Sequence, residues 1–236
     1  MPHLIPHHSH NEKHSGSSQA IRDIVVDLSD GLTVPFALAA GLTGAVSNNS
    51  LILLAGLAEI IAGTISMGLG GFLAGKTELD HYEGEFNREK REIAEIPNEE
   101  KEEIRQLLGN YGITPETQDK VALDLSMNPE LWVDFMMRFE LGLEKPDPRQ
   151  AYASAWRIGL SYAVGGLVPL LAYFLTSTPL AGLTYSSIIT LVCLLLFGYW
   201  KARLTSQPPL RGALTVTFIG VLAAAAAFGL AHWIKG

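Results

Sequence analysis

Apolar and polar residues follow one another along this chain in long blocks. Five mostly apolar stretches occupy residues 29–46, 51–75, 155–176, 180–200 and 212–233. Each is close to the ~20 residues that a helix needs to cross a bilayer. Between the second and third stretches, residues 76–150 are highly charged and carry helical patterning that Pro97 and Pro115 interrupt. The pattern predicts an all-α integral membrane protein with five transmembrane helices and a helical insert between the second and third.

The same blocks divide the chain into four parts. Residues 1–18 are polar and rich in histidine, which is typical of a disordered tail; such histidines could scavenge metal, but we assign them no site. Residues 19–75 combine an amphipathic entry segment with the first two membrane helices. Residues 76–150 predict a small helical domain, and residues 151–236 predict the last three membrane helices.

The net charge of the chain limits the kinds of partner that the protein is expected to bind. The formal charge of -7 belongs mostly to the insert and to the segment after Gln19, so the protein should attract cations and not nucleic acid. The single cysteine, Cys193, leaves no disulfide framework and no cysteine-based metal site. Basic residues flank the spans almost entirely on one side, whereas the loops at 47–50 and 177–179 on the opposite side are uncharged and only Lys235 is added there. This asymmetry predicts a cytosolic amino terminus and insert, with the carboxyl terminus on the opposite side of the membrane.

Two acidic residues interrupt the first two spans. Asp30 and Glu59 would each cost several kcal/mol inside a bilayer unless they meet a partner, a cation or water. Asp30 could equally cap the first membrane helix, whereas Glu59, deep in its span, is better explained as a ligand or a proton carrier. Met67 follows two turns later; its thioether would favour a softer transition metal, although packing is the commoner role of a membrane methionine.

An acidic stripe precedes the first span. Asp23, Asp27 and Asp30 recur at intervals of four and three residues, so they share one helical face. The stripe could guide a cation to a pore, or it could be the solvated side of an amphipathic helix at the membrane interface.

The insert contains carboxylates in pairs. Residues three or four apart share a helical face, and the residues concerned are Glu89 with Glu92, Glu100 with Glu103, and Met136 and Met137 with Glu140. Paired carboxylates on facing helices build metal sites in helical bundles, although Glu-rich helices are usually solvated surfaces. Because this insert is joined to spans that contain acids, we favour metal binding.

These residues also carry a family resemblance. Residues 22–36 (RDIVVDLSDGLTVPF), 58–68 (AEIIAGTISMG) and the Glu-rich insert that ends at 136–140 (MMRFE) resemble the vacuolar iron transporter family of plants, fungi and some protists. The resemblance covers the chain from about residue 18 onward. It implies a homodimer in the vacuolar membrane that exports cytosolic Fe²⁺ into the vacuole in exchange for protons, with no enzymatic activity and no permanently bound cofactor.

The resemblance also implies roles for individual residues. Asp30, Glu59 and Met67 would line the translocation path, with Asp23 near its cytosolic entrance. A cytosolic metal-binding domain would use Glu89, Glu92, Glu100, Glu103, Met136, Met137 and Glu140. Mn²⁺, Co²⁺, Ni²⁺ and Zn²⁺ are further candidate substrates, because carboxylate and thioether ligands overlap in the metals that they accept.

Two other classes of protein fit part of the pattern. A membrane-anchored metal sensor or buffer would bind metal on the insert without moving it across the membrane. A membrane di-iron oxidase fits less well, because the acidic cluster lacks the histidines expected around redox iron.

Overall fold

The computed structural model describes residues 14–235. Within that range it contains eight α-helices and no strand. They are α1 His14–Ala45, α2 Asn49–Glu95, α3 Pro97–Asn110, α4 Pro115–Ser126, α5 Pro129–Phe139, α6 Pro148–Leu175, α7 Pro179–Leu204 and α8 Pro209–Lys235. The all-α prediction is confirmed for this part of the chain.

Proline sets the beginning of most of these helices. The six helices from α3 to α8 each begin with a proline, whose fixed φ suits the first helical position and whose missing N–H would have had no partner there. Two starts are also capped by side chains: Asn128 accepts a hydrogen bond from the Leu131 N–H, and Thr178 accepts one from the Ala181 N–H, both at 3.4 Å. Local sequence therefore fixes where the helices begin.

Five helices are long and apolar enough to cross a membrane, as the hydropathy pattern predicts. The candidate spans lie in α1, α2, α6, α7 and α8. The amino-terminal end differs from the prediction. The expected entry segment and first span form one helix, because no proline or glycine interrupts residues 19–30. Residues 14–18 of the expected tail also belong to α1, while residues 1–13 lie outside the described residues.

The membrane unit comprises the described parts of residues 1–71 and 153–236. Glycines allow close approach of its helices. A Cβ on Gly165 of α6 would lie 2.8 Å from the Leu28 carbonyl oxygen and 2.9 Å from the Leu32 nitrogen of α1. Large apolar side chains on the outer face of α2, such as Leu54 and Ile65, are exposed. This surface suits contact with lipid or with another membrane helix.

The second unit comprises residues 72–152, close to the predicted insert at 76–150. It contains the polar end of α2 together with α3, α4 and α5. Gly112, with φ of 78°, supplies the left-handed turn between α3 and α4. One hydrophobic cluster holds this unit together: Tyr82, Ile93, Ile104, Leu108, Ala122, Trp132, Val133, Met136 and Met137.

Candidate functional site

Glu59 meets a tyrosine inside the membrane unit. Its carboxylate lies half-buried on α2, and the Tyr162 hydroxyl of α6 donates a hydrogen bond to its Oε1 atom. The second oxygen, Oε2, is buried without a hydrogen-bond partner among the described residues. A buried carboxylate oxygen with no partner is costly, so this atom is available to a cation or a proton.

Two glycines make room for this tyrosine. Gly63 lies one turn from Glu59 on the same face of α2, and a Cβ there would overlap the Tyr162 ring and lie 2.8 Å from its hydroxyl. A Cβ on Gly31 of α1 would overlap the Tyr162 backbone carbonyl. Tyr162 itself is only 4% exposed. The small residues of α1 and α2 therefore fix the position of the phenol.

Asp30 belongs to the same neighbourhood. It is half-buried on α1, and its charge lies near enough to the Tyr162 hydroxyl to interact with it. Asp30 on α1 and Glu59 on α2 therefore both lie within electrostatic reach of the Tyr162 hydroxyl. The alternative role of Asp30 as a helix cap is wrong, because α1 begins at His14 and Asp30 lies well inside the helix. Pro35 also leaves the Gly31 carbonyl without its helical partner in this region.

Asp23 is engaged by two side chains of α6. The Ser154 hydroxyl donates to Asp23 Oδ2 at 2.6 Å, and a terminal nitrogen of Arg157 approaches the same oxygen at 3.2 Å. Asp23 is 6% exposed and Asp27 is 4% exposed. The interpretation of the acidic stripe as a solvated helix face is therefore wrong. A cation that approached Asp23 would compete with the Arg157 guanidinium.

Met67 lies on α2, the helix that carries Glu59, but at a different level along its axis. It is half-buried on α2, eight residues beyond Glu59, which is about 12 Å along the helix axis. The structure therefore does not bring Met67 to the pair that Glu59 and Tyr162 form.

In the second unit, Glu89 and Glu100 form a buried carboxyl pair. They are 2% and 3% exposed and share a hydrogen bond, which requires that one of them carry a proton. Both lie beyond the apolar part of α2, which ends near Gly75. Burial, followed by the charge of Glu100, raises the pKa of Glu89, and burial also raises the pKa of Glu100.

Three further glutamates gather around this pair. Burial, followed by the charges of Glu103 and Glu100, raises the pKa of Glu140 to about 7, although more than a third of the residue is exposed. Glu140 also shares a hydrogen bond with Glu103 and interacts with the charge of Glu92. All five glutamates that the sequence singled out in this unit therefore lie within electrostatic reach of one another.

The two methionines of this unit are core residues. Met136 is 1% exposed and Met137 is 0% exposed, and both belong to the hydrophobic cluster. Between residues 14 and 235, no three histidine, cysteine or acidic side chains are grouped closely enough to hold a metal ion. Four of the five carboxyl groups form two hydrogen-bonded pairs, which share protons, and the fifth, Glu92, lies 3.5 Å from a nitrogen of Arg88.

Sequence reasoning missed three residues of α6: Ser154, Arg157 and Tyr162. Their signal was present as polar side chains at the start of the third apolar stretch. Only the helix packing reveals that they contact the acidic residues of α1 and α2.

The fold and the site define the class of protein. The chain is a five-span helical membrane protein with acidic residues partnered within its spans and a separate acid-rich helical unit. It belongs to the VIT family, whose model matches residues 21–232.

Several relatives match over most of their length. Vacuolar iron transporter 1 of Oryza sativa subsp. japonica is 53% identical over 97% of this chain and 91% of that protein. Vacuolar iron transporter 1 of Arabidopsis thaliana is 51% identical over 98% of this chain and 92% of that protein. Protein CCC1 of Saccharomyces cerevisiae is 42% identical over 89% of this chain and 68% of that protein.

Proposed function

We propose that this protein is an antiporter that moves cytosolic Fe²⁺ into the vacuole in exchange for protons. The names of the plant relatives support iron as the substrate and the vacuole as the destination. The observation that carries the mechanism is the meeting of Asp30 and Glu59 around Tyr162, with one Glu59 oxygen buried and unpartnered.

Exchange follows from the chemistry of a carboxylate. A carboxylate binds either a metal ion or a proton, so protons from an acidic lumen can displace the metal and return to the cytosol. The path runs from Asp23 at the cytosolic entrance to Asp30 and Glu59, with Met67 at a separate level of α2. Arg157 engages Asp23, so a cation passes this position in competition with the guanidinium.

The acid-rich unit collects the metal before transport. Glu89, Glu92, Glu100, Glu103 and Glu140 offer carboxylate oxygens, and the methionine sulfurs would need to leave the hydrophobic cluster to join them. Such a ligand set accepts Fe²⁺ and also Mn²⁺, Co²⁺, Ni²⁺ and Zn²⁺. The unit and the amino terminus face the cytosol and the carboxyl terminus faces the lumen, as the basic flanks of the spans indicate.

We also propose that the protein is a homodimer. The outer face of α2 exposes Leu54, Ile61 and Ile65 at 67%, 61% and 64%. In a membrane this surface can pack against either lipid or the same helix of a second copy.

Flux through reconstituted vesicles tests the transport function. The purified protein is placed in vesicles with an acidic interior that contain fluorescent indicators for metal and for pH. We expect Fe²⁺ to enter and protons to leave together. Asp30→Asn and Glu59→Gln should nearly abolish both movements, because each removes a carboxylate from the path.

Glu116→Gln is the matched control, because Glu116 is an exposed glutamate of α4 and should not affect flux. Unchanged iron flux in both Asp30→Asn and Glu59→Gln would refute the proposal. Iron flux without proton movement would leave a transporter but exclude antiport.

A metal sensor or buffer is the second candidate function. It is favoured by the separate acid-rich unit, which has its own hydrophobic cluster. In that case the full chain would bind metal but show no flux in the same vesicles, and substitutions at Glu59 would leave binding by the acid-rich unit unchanged.

A further inference from the structure

We propose that Tyr162 is a specificity-determining residue that restricts Glu59 to a single metal-binding oxygen and thereby disfavours Ca²⁺. This inference rests on the proposed transport function and adds a basis for discrimination between cations. Tyr162 is one of the residues that hydropathy and acidic spacing did not single out.

The hydrogen bond divides the carboxylate into two unequal oxygens. Oε1 accepts the Tyr162 O–H, while Oε2 is buried and has no partner among the residues described. A cation can approach Oε2 directly. To be held by both oxygens, the same cation would have to compete with the phenol at Oε1.

The phenol ring of Tyr162 has little freedom to move away from Glu59. Its ring lies against Gly63, where even a methyl group would overlap it, and its backbone carbonyl lies against Gly31. Tyr162 is 4% exposed, so neighbouring side chains confine the ring. A hydroxyl held so firmly is a persistent donor to Glu59.

The number of available carboxylate oxygens affects which cation the site prefers. Ca²⁺ takes six to eight oxygen ligands and often binds a carboxylate through both oxygens. Divalent transition metals accept a smaller set that can include nitrogen and sulfur. In a membrane site with few acids, the loss of one oxygen weakens Ca²⁺ binding more than it weakens Fe²⁺ binding.

Asp30 sharpens the restriction. Its charge interacts with the Tyr162 hydroxyl, so two carboxylates from different helices lie within electrostatic reach of the phenol. The O–H can satisfy only one acceptor at a time. Because the O–H is donated to Glu59, it does not occupy an oxygen of Asp30.

Tyr162→Phe tests the inference, because it removes the hydroxyl and keeps the ring. In the vesicle assay, Ca²⁺ is added as a competitor of Fe²⁺ uptake by the full-length protein. We expect the Ca²⁺ concentration that halves iron uptake to fall about tenfold, which is the change expected from loss of one hydrogen bond to a charged group. Tyr185→Phe is the control, because Tyr185 is a 58% exposed tyrosine of α7.

Equilibrium competition between Ca²⁺ and Co²⁺ on the detergent-solubilised full chain, counting only the binding that Glu59→Gln removes so that the acid-rich unit does not contribute, keeps the two proposals separable. If the unsubstituted protein shows no flux, the transport function fails, and the competition ratio still decides the role of Tyr162. A ratio that shifts about tenfold toward Ca²⁺ in Tyr162→Phe supports the inference. A ratio equal to that of the unsubstituted protein overturns it, whatever the flux.

Discussion

Metal binding by the acid-rich unit should depend steeply on pH near neutrality. The environment raises the pKa of Glu140 to about 7, and Glu89 and Glu100 share a proton within a buried pair. A metal ion must displace these protons before it can bind the carboxylates. The apparent metal affinity should therefore fall as the pH is lowered from about 8 to about 6.

The size of the effect follows from the fraction of carboxylate that is ionised. A group with a pKa of about 7 is ionised in about one molecule in eleven at pH 6 and in about ten in eleven at pH 8. Glu140 alone therefore changes the affinity about tenfold over this range. Displacing the proton of the Glu89 and Glu100 pair adds up to about another hundredfold, the limit for one proton over two pH units, which gives about ten- to a thousandfold in total.

The thermal stability of the metal-free protein should fall as the pH rises, whereas its metal affinity should increase. A carboxyl whose pKa is raised by folding stabilises the fold while it is protonated, and that contribution is lost as the pH rises through the raised pKa. Thermal stability without metal should therefore decline from about pH 6 to about pH 8, and saturating metal should restore it.

Calorimetric titration of the full-length protein with Co²⁺ measures both the affinity and the protons released, when it is repeated in buffers with different ionisation enthalpies. Glu140→Gln should weaken binding and make its pH dependence shallower, whereas Glu116→Gln should change neither. The reasoning is refuted if affinity is the same at pH 6 and pH 8, or if Glu140→Gln retains the full pH dependence.

Three further changes test the membrane unit by thermal unfolding in detergent. Gly165→Ala puts a methyl group 2.8 Å from a carbonyl oxygen of α1 and should lower the free energy of unfolding by about 1–3 kcal/mol. Gly70→Ala, with nothing within 4 Å, should lower it less. Equal losses in the two variants would contradict the close contact between α6 and α1. Arg157→Gln leaves buried Asp23 without its positively charged partner and should lower the free energy of unfolding by about 3 kcal/mol. Adding Asp23→Asn to this variant should restore part of that stability. Asn49→Ala removes a donor to two carbonyls at the end of α6 and should cost about 1–3 kcal/mol; unchanged unfolding would contradict that contact.

The number of membrane helices could be predicted because a bilayer imposes a simple length and composition requirement. The exact starts of the helices were less predictable. Apolar composition begins only near Ser29, yet α1 is already helical from His14. Hydropathy marks the part of a helix that lipid can surround and says little about where its backbone hydrogen bonds begin.

The acidic candidates could be predicted, but their partners could not. Asp30 and Glu59 stand out because charge is rare in an apolar span. Tyr162 is an ordinary residue by composition, and its importance depends on the packing of α6 against Gly63 and Gly31. Met136 shows the opposite case: its place beside acids in the sequence suggested a ligand, while its side chain is buried among apolar residues.

The acidic groups differ most in what a metal would have to displace. At Asp23 the competitor is a guanidinium, which carries a positive charge and never leaves as a neutral species. At Glu89 and Glu100 it is a shared proton, which bulk water accepts readily. At Glu59, as at Glu89 and Glu100, one oxygen is buried without a hydrogen-bond partner among the described residues. Displacement at Asp23 must therefore accompany movement of Arg157, whereas the free oxygen of Glu59 has no side-chain cation to displace. This difference predicts that Glu59 binds a cation more strongly than Asp23 does.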